Sequence, residues 1–194
     1  VVVAYRADSG SALTVVAGTV SGATITFGTP ETAVSGSQAK NIRLAYNPNK
    51  DAFLVTFTNQ AESNYGQLMP FKIASGTTFS FGTKNSFQSG NTSTNGQVVY
   101  EGYYHYMQIF YKSSSNSRPL VRYWSFDSGL SGSLGSDVQL SSDNTSRMDA
   151  AYCSHQQRIL LVWTNSSQSD RADWVLVQTA SNCLLYTSPS PRDR

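Results

Sequence analysis

The sequence predicts an all-β fold, a propeller-like array of four-stranded antiparallel blades with a period of about 53 residues and an incomplete ring. Three observations predict it. One segment is written three times, at residues 21–28 (SGATITFG), 75–82 (SGTTFSFG) and 128–135 (SGLSGSLG), with copies beginning 54 and then 53 residues apart. Self-similarity at a fixed period marks a repeat architecture before any local motif is read. In register with it, Tyr46, Tyr100 and Tyr152 are each followed eleven residues later by another aromatic, Phe57, Tyr111 and Trp163. A spacing kept through unrelated residues is what a hairpin of fixed length produces. Finally, no segment sustains an apolar pattern at helical spacing, so helix should be nearly absent.

The elements follow in order. Residues 1–5, 13–20 and 24–27 read as the last three strands of a unit whose first strand is missing. The next unit is complete: residues 42–46 (IRLAY) alternate, 47–51 (NPNKD) turn, 53–57 (FLVTF) resume, and a polar loop leads to 67–73 (QLMPFKI). The Ser-Gly turn then delivers a fourth strand at 77–81. Strands near 98–100, 107–111, 120–124 and 134–140 fill a further unit, and 150–152, 159–163 and 174–177 open another. The chain therefore divides into a partial blade (1–41), two blades (42–96 and 97–146) and a second partial blade (147–182). Four short strands in about 50 residues suit a propeller blade. The alternative, a β-sandwich, has similar strand spacing but gives no reason for a repeat. Blades bury their faces only against neighbouring blades, so an incomplete ring exposes apolar surface at both ends and favours self-association through open blade edges.

A fourth copy of the segment is due near residue 181, and Thr179, Ala180 and Ser181 echo Ile73, Ala74 and Ser75 before the likeness stops. The eleven residues from Cys183 to Asp193 (CLLYTSPSPRD) resemble translated read-through of a transposase-library sequencing adapter. Residues 183–194 are accordingly taken as a non-native tail and left out of fold reasoning. The first residues are already strand-like, with no initiator Met or leader, so the chain reads as a window on something longer. Without the tail the net charge falls from +2 to +1 and only Cys153 remains, a small half-buried side chain rather than half of a disulfide.

Composition narrows the function. A near-neutral chain lacks the clustered Lys and Arg that nucleic acid or an anionic membrane requires. No apolar run approaches the roughly 18 residues of a membrane span. Abundant Ser, Thr, Asn, Gly and Tyr with few charges fit extracellular or virion β-structure. Residues 17–28 (AGTVSGATITFG) give the best copy of a pattern that resembles repeat proteins of marine phage and metagenomic virion genes, propeller-like modules of tail fibres or adhesins. The third copy departs from it at Gly132 and Leu134. The resemblance implies a structural or recognition role outside the cell or on a virion, with a cell-surface glycan or another virion protein as partner.

Individual residues point to binding rather than catalysis. His105 and His155 fall in turns of different units without a ligand at metal-binding spacing, so neither a metal nor another cofactor is expected. Glu31, Glu62 and Glu101 occupy different repeat positions, whereas glycosidase chemistry needs two carboxylates about one bond. The arginines Arg6, Arg43, Arg118, Arg122, Arg147, Arg158 and Arg171 offer a carboxylate clamp of the sialidase kind, but most suit the solvent side of strands. Aromatics beside Asn, Asp and Arg suit the stacked face and hydroxyls of a sugar ring. Loops 59–65, 113–117 and 165–173 should converge at one end of the units, where a rigid scaffold places binding residues. The candidate ligand-binding residues are Asn64, Tyr65, Tyr103, Tyr104, His105, Asp170 and Arg171. A binding or structural module is the favoured function, with a glycan-degrading propeller or an architectural spacer as alternatives. A cluster of Arg or carboxylates in the central channel would favour the enzyme; loops rich in Tyr and Asn would favour binding.

Overall fold

The computed structural model describes residues 1–8, 10–90, 96–180 and 183–187. Among them the chain forms four antiparallel sheets, none closed on itself, with two single-turn 3-10 helices and no α-helix. Sheet 1 holds β1 (Val2–Arg6), β2 (Leu13–Ser21), β3 (Thr24–Phe27) and β4 (Glu31–Val34). Sheet 2 holds β5 (Lys40–Asn47), β6 (Ala52–Asn59), β7 (Tyr65–Ser75), β8 (Thr78–Phe81) and β9 (Asn85–Gln88). In sheet 3 the strands are β10 (Gln97–Tyr100), β11 (Met107–Lys112), β12 (Pro119–Phe126), β13 (Gly132–Leu134) and β14 (Val138–Gln139). Sheet 4 comprises β15 (Thr145–Cys153), β16 (Arg158–Asn165), β17 (Arg171–Ala180) and β18 (Cys183–Thr187).

The fixed hairpin length has a direct counterpart in register. Tyr46 pairs with Phe53, Tyr100 with Met107 and Tyr152 with Ile159, so the first two strands of sheets 2, 3 and 4 close in the same way. Sheet 1 begins one strand late: β1 pairs only with β2, the counterpart of β7. The first strand of each later sheet adjoins that of the next, β5 beside β10 and β10 beside β15, while β1 lies against β5.

The outer strand differs from expectation. It is two short strands rather than one, β3 with β4, β8 with β9 and β13 with β14, each pair sharing one long partner strand. Residues 134–140 are therefore not a single strand. The break is the glycine that ends the repeated segment. Its N–H turns back to the partner strand, Gly28 to Ala17 O at 2.9 Å, Gly82 to Pro70 O at 2.8 Å and Gly135 to Tyr123 O at 2.9 Å. A Cβ on Gly28 would lie 2.2 Å from Thr77 Oγ1, and one on Gly82 2.8 Å from the backbone oxygen of Leu130. Thr77 and Leu130 both stand two residues after the serine of the next copy. The two ends of the repeated segment thus meet across neighbouring sheets, which ties its recurrence to sheet–sheet contact.

The Ser-Gly dipeptide makes the intervening hairpin. Gly22 and Gly76 adopt positive φ of 58° and 57° in two-residue loops, the geometry of a type II′ turn, which matches strand twist.

Three apolar cores lie between successive sheets. Sheets 1 and 2 enclose Leu13, Val15, Val55, Phe57, Met69 and Phe71; sheets 2 and 3 enclose Leu54, Leu68, Ile109, Tyr111 and Trp124. Sheets 3 and 4 enclose Phe110, Val121, Ile159, Leu161 and Trp163. Consecutive residues of β6 and β11 serve opposite cores, so these strands read as unbroken apolar runs instead of alternating.

Residues 183–187, left out of fold reasoning above, pair with β17 as the outer strand of sheet 4. Leu, Tyr and Thr are strand formers, and the edge of β17 offers unpaired backbone groups to any such segment. Cys153 is exposed rather than half-buried, because it sits at the tip of the β15–β16 hairpin, beyond the core.

Candidate functional site

Loops at the two ends of the strands carry different chemistry. At the first-hairpin end, residue 47 or 101 caps the turn: Asn47 Oδ1 accepts from the N–H of Asn49 at 3.0 Å and Lys50 at 3.2 Å. The buried Glu101 does the same with its two carboxylate oxygens, accepting from Tyr103 N at 2.6 Å and Tyr104 N at 2.9 Å. Asp51, His105 and Gln157 hold one position in the three hairpins, each with a left-handed φ of 45°, 64° and 52°. Tyr46 Oη donates to Asp51 Oδ1 at 2.7 Å, and Tyr100 Oη meets His105 Nδ1 at 2.6 Å. His105 is thus a turn residue tied to its own hairpin, in the role Asp51 plays one sheet earlier. The bond to Asp51 raises the Tyr46 phenol; burial, and then the Glu101 charge, raise Tyr100. Tyr103 packs edge-on against Tyr104, and Tyr104, Tyr106 and Tyr123 continue as a stacked ladder. Much of this aromatic surface is spent on cross-strand pairing.

The second-hairpin end is organised by a buried asparagine in sheets 2 and 4. Asn59 and Asn165 cap a 3-10 turn, accepting from Ala61 N at 3.1 Å and Ser167 N at 3.0 Å. Each amide then donates twice: Asn59 Nδ2 to Gln67 Oε1 at 2.9 Å and Glu62 Oε1 at 3.1 Å, Asn165 Nδ2 to Asp173 at 2.6 Å and Asp143 at 2.7 Å. Ser113 stands at the same place in sheet 3, and its shorter side chain stays within its own turn, accepting from Ser115 N at 3.3 Å and meeting Ser115 Oγ at 3.0 Å.

Beside that shortened cap is a polar cleft between sheets 2 and 3. It holds about 290 Å³ and is lined by Ser86, Gln88 and Ser89 from β9 and its turn, Ser113, Ser114 and Ser115 from the β11–β12 loop, and Tyr111, Arg122 and Asp137 at its floor. Tyr111 Oη donates to Asp137, which also receives Arg122 in a two-toothed ion pair, Nη2 to Oδ2 at 2.9 Å. Burial and then the Asp137 hydrogen bond push the Tyr111 phenol far above its ordinary value. Burial works to lower the Arg122 guanidinium, but the hydrogen bond to Asp137 and the Coulombic pull of Tyr111 and Asp137 together outweigh it and the net shift is upward. The three form an internally neutral triad, and the serines around it are partly engaged, Ser113 Oγ with Ser115 Oγ at 3.0 Å and Ser86 Oγ accepting from Gln67 Nε2 at 3.4 Å.

A second cavity, of about 330 Å³, lies along the first strands. Arg43, Gln97 and Asp149 stand three residues before Tyr46, Tyr100 and Tyr152. Arg43 Nε donates to Gln97 Oε1 at 3.2 Å, and Gln97 Nε2 passes the chain to Met148 O at 3.2 Å. Arg147 joins them, so two of the arginines offered as a clamp share this cavity. Asp149 is the sole carboxylate among its lining residues, so the paired acids of glycoside hydrolysis are not assembled there.

The sequence candidates are scattered. Asn64 lies in the second-hairpin loop of sheet 2 and Tyr65 is the first residue of β7; Asp170 lies in the corresponding loop of sheet 4 and Arg171 is the first residue of β17, where its Nη2 reaches Asp173 at 3.3 Å. Tyr103, Tyr104 and His105 lie at the opposite strand ends, and none of the seven lines either cavity. Among the described residues no three His, Cys, Asp or Glu side chains converge as a metal site, and no helix is long and apolar enough to cross a membrane. The cleft residues were partly visible: loop 113–117 and Arg122 stood out, whereas Asp137 did not. A charge reversal at one repeat position, Lys84 against Asp137, each two residues after the segment's glycine, was the available signal. No family model, curated protein or solved structure matches the chain.

Proposed function

We propose that this chain is a propeller-like binding module of an extracellular or virion protein, and that it takes a neutral, polyhydroxylated ligand such as a cell-surface glycan in the serine-lined cleft between sheets 2 and 3. The propeller arrangement is supported by the side-by-side first strands and by the repetition of one packing mode in three successive interfaces. The cleft carries the functional reading. Its volume is near the lower end of the roughly 300–1,000 Å³ of small-molecule sites. Its walls carry hydroxyls and an amide, and its one ion pair is self-neutralised, which matches a ligand rich in hydroxyls and without net charge. Behind these polar groups Tyr111 and Phe87 are buried and packed on each other, which holds the wall rigid.

The test is glycan-array screening of the chain, followed by calorimetric titration of any hit against two variants. Ser114→Trp, at an exposed position on the rim, fills the cleft and should weaken binding about tenfold or more without lowering the unfolding temperature. Tyr103→Ala, at the opposite strand ends, should leave binding unchanged. The reverse outcome would move the site to the first hairpins and sink the cleft.

A further inference from the structure

The terminal sheets expose apolar residues at positions that are buried or half-buried in the other sheets. In sheet 4, Leu160, Val162 and Trp174 are 38%, 40% and 42% exposed. Aligned through the hairpin register, they correspond to Gln108, Phe110 and Val121 of sheet 3, all 0% exposed because sheet 4 covers them. Leu54, Thr56 and Leu68 hold the same places in sheet 2 and are equally buried, against sheet 3.

Sheet 1 presents the complementary side. Val3, Ile25 and Phe27 are 38%, 47% and 50% exposed. Through the register of β1 and β2, Val3 corresponds to Val55, and through β3, Ile25 and Phe27 correspond to Phe79 and Phe81. Val55 and Phe79 are 0% and 8% exposed, packed against the preceding sheet. Sheet 4 therefore ends in the surface that packs forward, and sheet 1 begins with the surface that packs backward.

We infer that the forward face of sheet 4 binds the backward face of sheet 1 on a second copy of this chain. The contact continues an interface the molecule already makes three times, between sheets 1 and 2, 2 and 3, and 3 and 4. Because it joins two different surfaces it is heterologous: it closes a ring if the rotation allows and otherwise adds copies in line. Contiguous apolar patches on a protein surface commonly mark interaction sites. Charge does not oppose the contact. Beside Val162 stand Asp149 and Arg147, of opposite sign, and the residues of the sheet 1 face are uncharged.

Sedimentation velocity on the full chain, over a dilution series, tests this. The wild-type chain should sediment as a dimer or larger and dissociate on dilution. Val162→Lys and Val3→Glu change residues already in contact with solvent, so each should fold with an unfolding profile close to that of the isolated wild-type chain, and each should sediment as a monomer. Mixed together they should form a dimer and nothing larger, since the intact sheet 4 face of one meets the intact sheet 1 face of the other. A wild-type chain that stays monomeric leaves the faces to other occupants and overturns the inference. So does a mixture that stays monomeric, or association lost in Val162→Lys but kept in Val3→Glu, which would mean sheet 4 pairing with itself.

Discussion

Sheets 3 and 4 share the order of their first three strands and the register of their first hairpin, yet the same positions are core in one and surface in the other. The residues do not follow their exposure: the buried position carries Gln108 and the exposed one Leu160. Burial here is conferred by the neighbouring sheet rather than by the polarity of the side chain. The first way to break the comparison is truncation on both sides of it. Phe110→Ala removes a ring buried between sheets 3 and 4 and should cost roughly 3–5 kcal/mol in urea unfolding. Val162→Ala, its counterpart, should cost within about 0.5 kcal/mol when measured on dissociated chain. A large cost for Val162→Ala under those conditions would show that sheet 4 is covered from within its own chain.

Sheets 2 and 4 sharpen the same comparison at the second-hairpin end, where each buries an asparagine cap. Replacing either by Ala orphans the N–H of the 3-10 turn and removes two donated hydrogen bonds, a loss of about 1–3 kcal/mol where the groups are buried. The two losses should differ in order. Asn59 donates to Gln67 and Glu62, which are already joined to each other by Gln67 Nε2 donating to Glu62 Oε2 at 2.7 Å, whereas Asn165 bridges two carboxylates, Asp143 and Asp173, which lose their shared donor once the amide is gone. Asn165→Ala should therefore destabilise more than Asn59→Ala, and added salt, which screens the repulsion between the two carboxylates, should narrow the gap. Equal losses at neutral pH would show that the amide's cap, not its bridge, is what matters.

The repeat period and hairpin register were legible because they depend on local chemistry. The Ser-Gly turn needs a positive φ, and Tyr46, Tyr100 and Tyr152 close identical loops. The splitting of the outer strand was hidden because Gly28, Gly82 and Gly135 break it through contacts to another strand and another sheet, which spacing does not record. The site was less legible still. Tyr103, Tyr104 and His105 were singled out by crowding on one hairpin, but crowding reflected turn closure and a stacking ladder. The cleft joins β9 of one repeat to a loop of the next, so no single segment of sequence displays it.

The smallest effect comes from comparing what stands two residues after the repeated glycine. In sheet 3 it is Asp137, locked between Tyr111 and Arg122; in sheet 2 it is Lys84, which reaches Glu62 from a surface position. The Lys84 hydrogen bond, with help from Gln67 and against burial, holds the Glu62 carboxyl below its ordinary value. A depressed carboxyl contributes stability that is complete above the unfolded-state value, about 4.3, and is lost as pH falls through the lower folded value. Glu62 is 46% exposed, so the contribution is small and screened by salt. Lys84→Met should accordingly lower the unfolding temperature slightly at neutral pH and low salt. The difference from wild type should shrink on adding salt and vanish as Glu62 becomes protonated in the folded chain. A difference that persists in acid would assign the effect to the lysine's aliphatic stem covering the sheet instead of to its charge.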